Sequence, residues 1–247
     1  MPEELIDDSD EMIFPSRVVC LCPGSTDTVR ALGAGDRMTA ADADGGAVAL
    51  AGVPDLVISF AGVPCDAGVL AGVPLLALRP MTLGEVMDGI LLVGRILGND
   101  VEAMCVVERL AAEVRDIRER GRCFPRRPRV FFEEQSVPLS SGGRWIGELV
   151  GIAGGENVFA KRSAPGGDAP VVESADVVRQ DPEIIFAAAP GGGFDAGVIR
   201  RRRGWETIGA VREGRIHGIA AADILAPGPS LIKGLQQMHD FMAAVVK

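Results

Sequence analysis

The run best suited to chemistry is Gly191-Gly192-Gly193-Phe194-Asp195-Ala196, which satisfies G-x-G-x-x-A, follows an apolar stretch and opens a helical one. Such a loop lets the backbone approach a pyrophosphate and seats it on a helix N-terminus. Ribose recognition also needs an acidic residue closing the next strand about 20 positions on. Asp223 lies too far along. A ligand-cleft or helix-start loop is therefore the favoured reading, with a dinucleotide-dependent enzyme as an alternative.

Other reactive side chains are sparse. Cys20 and Cys22 form C-x-C, alternate residues of a strand share a face, and no Cys or His motif nearby completes a zinc site. Glu133 and Glu134 could serve as acid and base, but neighbouring strand residues point to opposite faces and cannot flank one bond. His217 and His239 lie far from any nucleophile elbow or metal spacing and read as structural. Arg200 to Arg203 read as a solvated helix end that complements the macrodipole, with Trp205 folded over it as a cap.

The elements that must position these residues alternate between strand and helix. Arg17 to Cys22 is a buried strand, and P-G-S-T opens a short helix that Gly33 ends. Strands follow at Asp55 to Phe60 and Pro74 to Leu78, with a Gly-rich turn and short helix between them. Ala40 to Pro54 reads as a loop. Thr82 with Glu85 starts a helix running to Gly98. Apolar residues three or four apart then mark a helix from Asp100 to Arg120, about 30 Å long, stopped by Gly121.

Strand and helix alternate again to the end, with strands at Arg129 to Glu133, Glu183 to Ala189 and Arg215 to Ile219. Helices are expected at Arg144 to Ala153, Ala175 to Gln180, before the arginine run, and from Ser230 to Val246. The fold class is α/β: two Rossmann-like lobes with parallel sheets bridged by one long helix. The boundaries are an acidic N-terminal tail at 1–16, a lobe at 17–98, the bridging helix at 99–122 and a second lobe at 123–247.

The chain has 247 residues, 47% hydrophobic, with a net charge of −9 and a mean hydropathy of +0.23. Its acidic field argues against nucleic acid as a partner. No apolar run reaches the roughly 18 residues of a membrane helix. The five cysteines show no disulfide framework. With an acidic opening that has no basic, apolar leader, they predict a cytoplasmic protein.

Several segments carry a family likeness: R-P-R-V-F-F-E-E-Q at 127–135, G-G-R-W-I-G-E-L-V-G-I-A-G-G-E-N-V-F at 142–159, D-V-V-R-Q-D-P-E-I-I-F at 176–186, R-G-W-E-T-I-G-A-V-R-E-G-R-I at 203–216 and P-G-P-S-L-I-K-G-L at 227–235. With R-V-V-C-L-C-P-G-S-T-D-T-V-R-A-L-G-A-G-D-R at 17–37, they resemble the cobalamin-binding branch of the class III periplasmic substrate-binding-protein-like family, the cobalamin and iron-siderophore type. The resemblance implies a ligand held between two lobes with little hinge motion, and an ABC permease as partner.

Carried over position by position, the resemblance makes ligand-binding candidates of Pro23, Gly24, Ser25, Thr26, Glu134, Arg144, Trp145, Gly191, Gly192, Gly193, Asp223 and Gly228. Arg144 and Trp145 would contact the ring and its polar edge. No cofactor is required, and cobalamin or a related corrinoid or metal chelate is the expected ligand.

The chain departs from the family in two places. Its N-terminal lobe is trimmed around Ala41 to Gly52, and Ala221 to Leu225 stands where relatives carry aromatics, each lost ring costing about 1 kcal/mol. With no leader, a cytosolic corrinoid carrier or sensor fits as well as a transporter component. A degenerate interaction module without a ligand is the other alternative.

Overall fold

The computed structural model describes residues 14–41, 53–60, 72–143, 145–162, 167–189, 191 and 193–246. Val18–Cys20 (β1) is buried on both faces, as a central parallel strand must be. Pro23–Ala31 (α1) begins at once. Proline presets the first helical turn, and the Ser25 hydroxyl accepts from Cys22 N, 3.3 Å. The P-G-S-T stretch is thus the first turn of a helix and not a separate loop.

Met38–Ala41 (β2), Leu56–Ser59 (β3) and Leu75–Ala77 (β4) complete a parallel sheet in the order β2-β1-β3-β4. β2 corrects the loop expected from Ala40, since small residues such as Ala suffice for an edge strand paired on one side. The remainder of that loop and the turn and helix expected after Phe60 lie outside the described residues, as does most of the acidic tail.

Leu83–Leu97 (α2) starts at Thr82, whose hydroxyl accepts from Glu85 N at 3.2 Å, and ends at Gly98 with φ +70°. Asp100–Arg122 (α3) follows, burying the stripe Ala103, Val106, Leu110, Val114, Ile117 and Gly121.

Beyond it lies a second sheet. Arg129–Ser136 (β5) pairs antiparallel with Leu139–Ser141 (β6) and parallel with Glu156–Asn157 (β7). Ile152 closes α4, which begins at Ile146. Ser174–Gln180 (α5) leads to Ile184–Ala189 (β8), which pairs with β5. Ala196–Arg200 (α6) and Gly209–Arg212 (α7) precede Ile216–Ala220 (β9), parallel to β8. Ala221–Ile224 (α8) and Leu231–Val245 (α9) finish the chain. β6 and β7 are too short to leave a periodic signal.

One apolar core runs through both sheets and the helices between them, from Val18 and Ile58 through Val86, Leu110 and Leu149 to Leu235 and Met242. A second, smaller core of Phe131, Phe159, Ile185 and Trp205 fills the far side of the second sheet. Among the described residues no helix is long and apolar enough to cross a membrane.

Candidate functional site

The C-terminal ends of β1 and β9 lead into segments that meet. A Cβ placed on Gly24 would lie 2.6 Å from the Pro227 carbonyl oxygen, and one on Gly228 would lie 3.0 Å from Gly24 O. The lobes therefore touch backbone to backbone, which only glycine permits at these two positions.

Carboxylates lock the contact from both sides. Asp27 Oδ2 accepts from Ser230 N, 2.7 Å, at the start of α9, and Glu148 Oε2 accepts from Leu83 N, 3.0 Å, at the start of α2. Each lobe supplies an anion to an orphan N–H at a helix start in the other. Arg79 and Asp168 add an ion pair across the junction, 2.6 Å. Beneath lies a void of only about 10 Å³ walled by Leu83, Val86, Leu110, Leu149 and Leu231, room for at most one water.

The expected site residues separate into two groups. Ser25 and Thr26 are buried, and Ser25 donates back to Cys22 O, 2.8 Å, while Pro23 is exposed. Glu134 accepts from Gly143 N, 3.0 Å, fixing the turn before α4. The Arg144 side chain and Gly192 lie outside the described residues. Trp145 is only 2% exposed, and its indole N–H donates to Ile224 O, 2.9 Å. That corrects its expected role as a cleft anchor: the ring is packed under the floor and ties the start of α4 to α8. Asp223 is half-buried, its carbonyl against Gly234.

Gly191 and Gly193 form the second group, both exposed at the end of β8, where an added methyl would meet nothing within 4 Å. Because Ala189 pairs with Ala220, this loop and the segment from Ala221 leave adjacent strands on one edge.

The sequence offered no sign of Asp27, Glu148, Arg79 or Asp168. Their partners lie 65 to 203 residues away, as with Leu83–Glu148 and Asp27–Ser230, so no local spacing marks them.

The competing chemistries lose their residues to structural work. α6 spans five residues, and Asp195 caps it by accepting from Gly197 N, 2.7 Å. That bond and the Arg201 guanidinium hold the Asp195 carboxyl below the usual range, so a fixed negative charge stands where a pyrophosphate would sit. Burial pushes the Cys20 thiol up to about 12, with the Ser25 hydroxyl pulling the other way, which leaves it protonated and a poor metal ligand. No group of three metal-binding side chains occurs among the described residues.

Glu133, 3% exposed, receives two bonds from Arg202, 2.5 and 2.7 Å, and that guanidinium lies 4.6 Å from the Trp205 ring. The arginine run is thus not wholly solvated, and Trp205 is a core residue whose N–H donates to Ser174 Oγ, 2.6 Å. His239 is stacked on Phe124 and bonded to Ala153 O, 3.1 Å, and His217 lies between Phe186 and Phe241.

The family described as periplasmic binding protein matches residues 50–222. The chain belongs to that family. This periplasmic binding protein is 23% identical over 256 aligned positions to YvrC, an uncharacterized ABC transporter substrate-binding lipoprotein of Bacillus subtilis (strain 168), covering 92% of this chain and 79% of the relative. It is 26% identical over 196 positions to a vitamin B12-binding protein of Yersinia pestis (strain Pestoides F), covering 70% and 69%.

Among solved structures, the apo periplasmic heme-binding protein RhuT of Roseiflexus sp. RS-1 superposes with a TM-score of 0.78 at 20% identity, over 94% of this chain and 99% of that one. The periplasmic vitamin B12-binding protein BtuF of Vibrio cholerae gives 0.73 at 20%, over 93% and 97%. These two establish the two-lobed α/β fold.

The expectation of a cytoplasmic protein is overturned. The family is periplasmic by description and the Bacillus relative is a lipoprotein, both extracytoplasmic. The opening composition and unpaired thiols misled because neither is part of what the fold requires. Buried thiols such as Cys20 and Cys22 persist in any compartment where no partner reaches them.

Proposed function

We propose that this periplasmic binding protein carries a corrinoid or related tetrapyrrole or metal chelate to an ABC permease and performs no catalysis of its own. The observation that carries the reading is the locked junction. Both sheets end at a floor held by Gly24, Gly228 and two cross-lobe carboxylate bonds. A ligand held above it would meet lobes whose spacing is already set, the arrangement suited to a large rigid molecule, because neither partner would lose much freedom on binding.

The open glycine positions at Gly191 and Gly193 leave backbone accessible at the rim. Glu133, His217 and His239, the side chains best suited to acid–base work, are committed to packing and bonds within the fold. The names of the relatives, vitamin B12-binding and heme-binding, point to the same ligand class.

The test is a titration of the purified protein with cobalamin, a shorter corrinoid and haem, followed by the ligand's absorption bands and by tryptophan quenching. Saturable binding at micromolar or tighter affinity is expected for at least one. Silence with all three would refute the ligand class. Trp145→Phe should remove part of the quenching yet keep the affinity of the band titration within a few-fold, because the indole lies under the floor.

A further inference from the structure

A groove of about 470 Å³ lies between the C-terminal end of α3 and α4, sharing Glu148 with the strand-end junction, and is lined by Arg118, Arg122, Arg127, Phe124 and Glu148. Its size falls within the range of small-molecule sites, roughly 300–1,000 Å³. Beneath it, glycines let the ends of α3 and α4 close on each other. A Cβ on Gly121 would stand 2.8 Å from Ile152 O, and one on Gly154 would stand 2.6 Å from the Phe124 ring.

The arginines around it are unlike their neighbours. Arg120 pairs with Asp116 at 3.0 Å and Arg126 with Glu183 at 2.5 Å. Arg118 and Arg122, one helical turn apart, meet no carboxylate among the described residues, and Arg127 donates only to Gly151 O, 3.2 Å. Helix ends account for part of this charge. The C-termini of α3 and α4 each contribute about half a negative unit, and Glu148 adds one. That is about −2 against three guanidiniums, so the groove keeps a positive surplus in a chain of net charge −9.

We propose that this groove binds a phosphate-bearing anion, with the Arg118 and Arg122 forks on its phosphoryl oxygens and Arg127 at the rim. Guanidinium suits this role because its donors match phosphate geometry two at a time. A soluble oligophosphate and an anionic phospholipid headgroup share the chemistry.

The full-length protein is titrated with inorganic pyrophosphate at fixed ionic strength, and in parallel floated with phosphatidylcholine vesicles with and without phosphatidylglycerol. Saturable binding is expected in one arm, weakened at least tenfold by the double substitution Arg118→Ala/Arg122→Ala and unchanged by Arg126→Ala. Binding of pyrophosphate assigns a soluble anion, and binding only to anionic vesicles assigns a headgroup. An unchanged thermal midpoint shows that the double variant is folded. Absence of binding in both arms, or binding that survives the double substitution, overturns the proposal.

Discussion

Gly24→Ala sets two effects against each other. Gly24 is the second residue of α1, where alanine gains about 0.5–1 kcal/mol over glycine through helix propensity. The added methyl, however, would sit 2.6 Å from Pro227 O and 2.9 Å from Pro227 Cδ. These lie roughly 0.6–0.9 Å inside the contact distance of about 3.5 Å between nonbonded heavy atoms. Neither atom can rotate away, since one is backbone and the other part of a ring. Relief requires the lobes to part, which stretches the Asp27–Ser230 bond of 2.7 Å.

Overpacking costs about 1–3 kcal/mol, and with both atoms immobile the cost falls in the upper half of that range, so after the propensity gain of about 0.5–1 kcal/mol the variant is destabilised by about 1–2.5 kcal/mol. Urea unfolding measures it against Gly35→Ala, whose nearest neighbour is a flexible Arg30 methylene at 3.7 Å and which stays within about 0.5 kcal/mol of the parent. A Gly24→Ala protein as stable as the parent would show that the two lobes yield at this contact without cost.

Asp27→Ala removes a charge-assisted bond to a helix start and costs about 1–2 kcal/mol in the same assay, and Asp27→Asn, which retains an acceptor, recovers part of it. Burial raises the Asp55 carboxyl, but bonds from Arg17 N, Ser16 N and the Ser16 hydroxyl outweigh it and hold the group below its ordinary 3.8. Its contribution is therefore complete above that value and is lost as pH falls through the lower folded value. Thermal midpoints taken from pH 6 downward should fall more steeply below pH 3.8 for the parent than for Asp55→Asn.

The central strands of both sheets and the long helix were legible because burial on both faces imposes continuous apolar runs such as Val18–Cys20 and Ile184–Ala189, and because α3 buries residues at regular three- and four-residue spacing. The short elements were not. β6, β7 and α8 hold two to four residues each, fewer than a period needs to repeat. The placement of Trp145 also escaped the sequence. An indole at a helix start suits a ligand or a core equally, and only Ile224 O, 79 residues on, decides between them. Arg202 was misread for a similar reason. Within four consecutive arginines nothing marks the one that Glu133 receives.

The Gly24–Gly228 contact makes the junction a fixed gauge. A binding protein that closes on a hinge can adapt its aperture to each guest and reports occupancy by changing shape. Here the lobe spacing is set by two backbones already touching, before any guest arrives. On the function proposed above, a guest of the wrong thickness would be refused by the frame, and the right one would leave the lobe spacing as it found it. What a partner can sense of occupancy must then be the guest itself and the loops around it, so selection rests on the rim and not on the body of the protein.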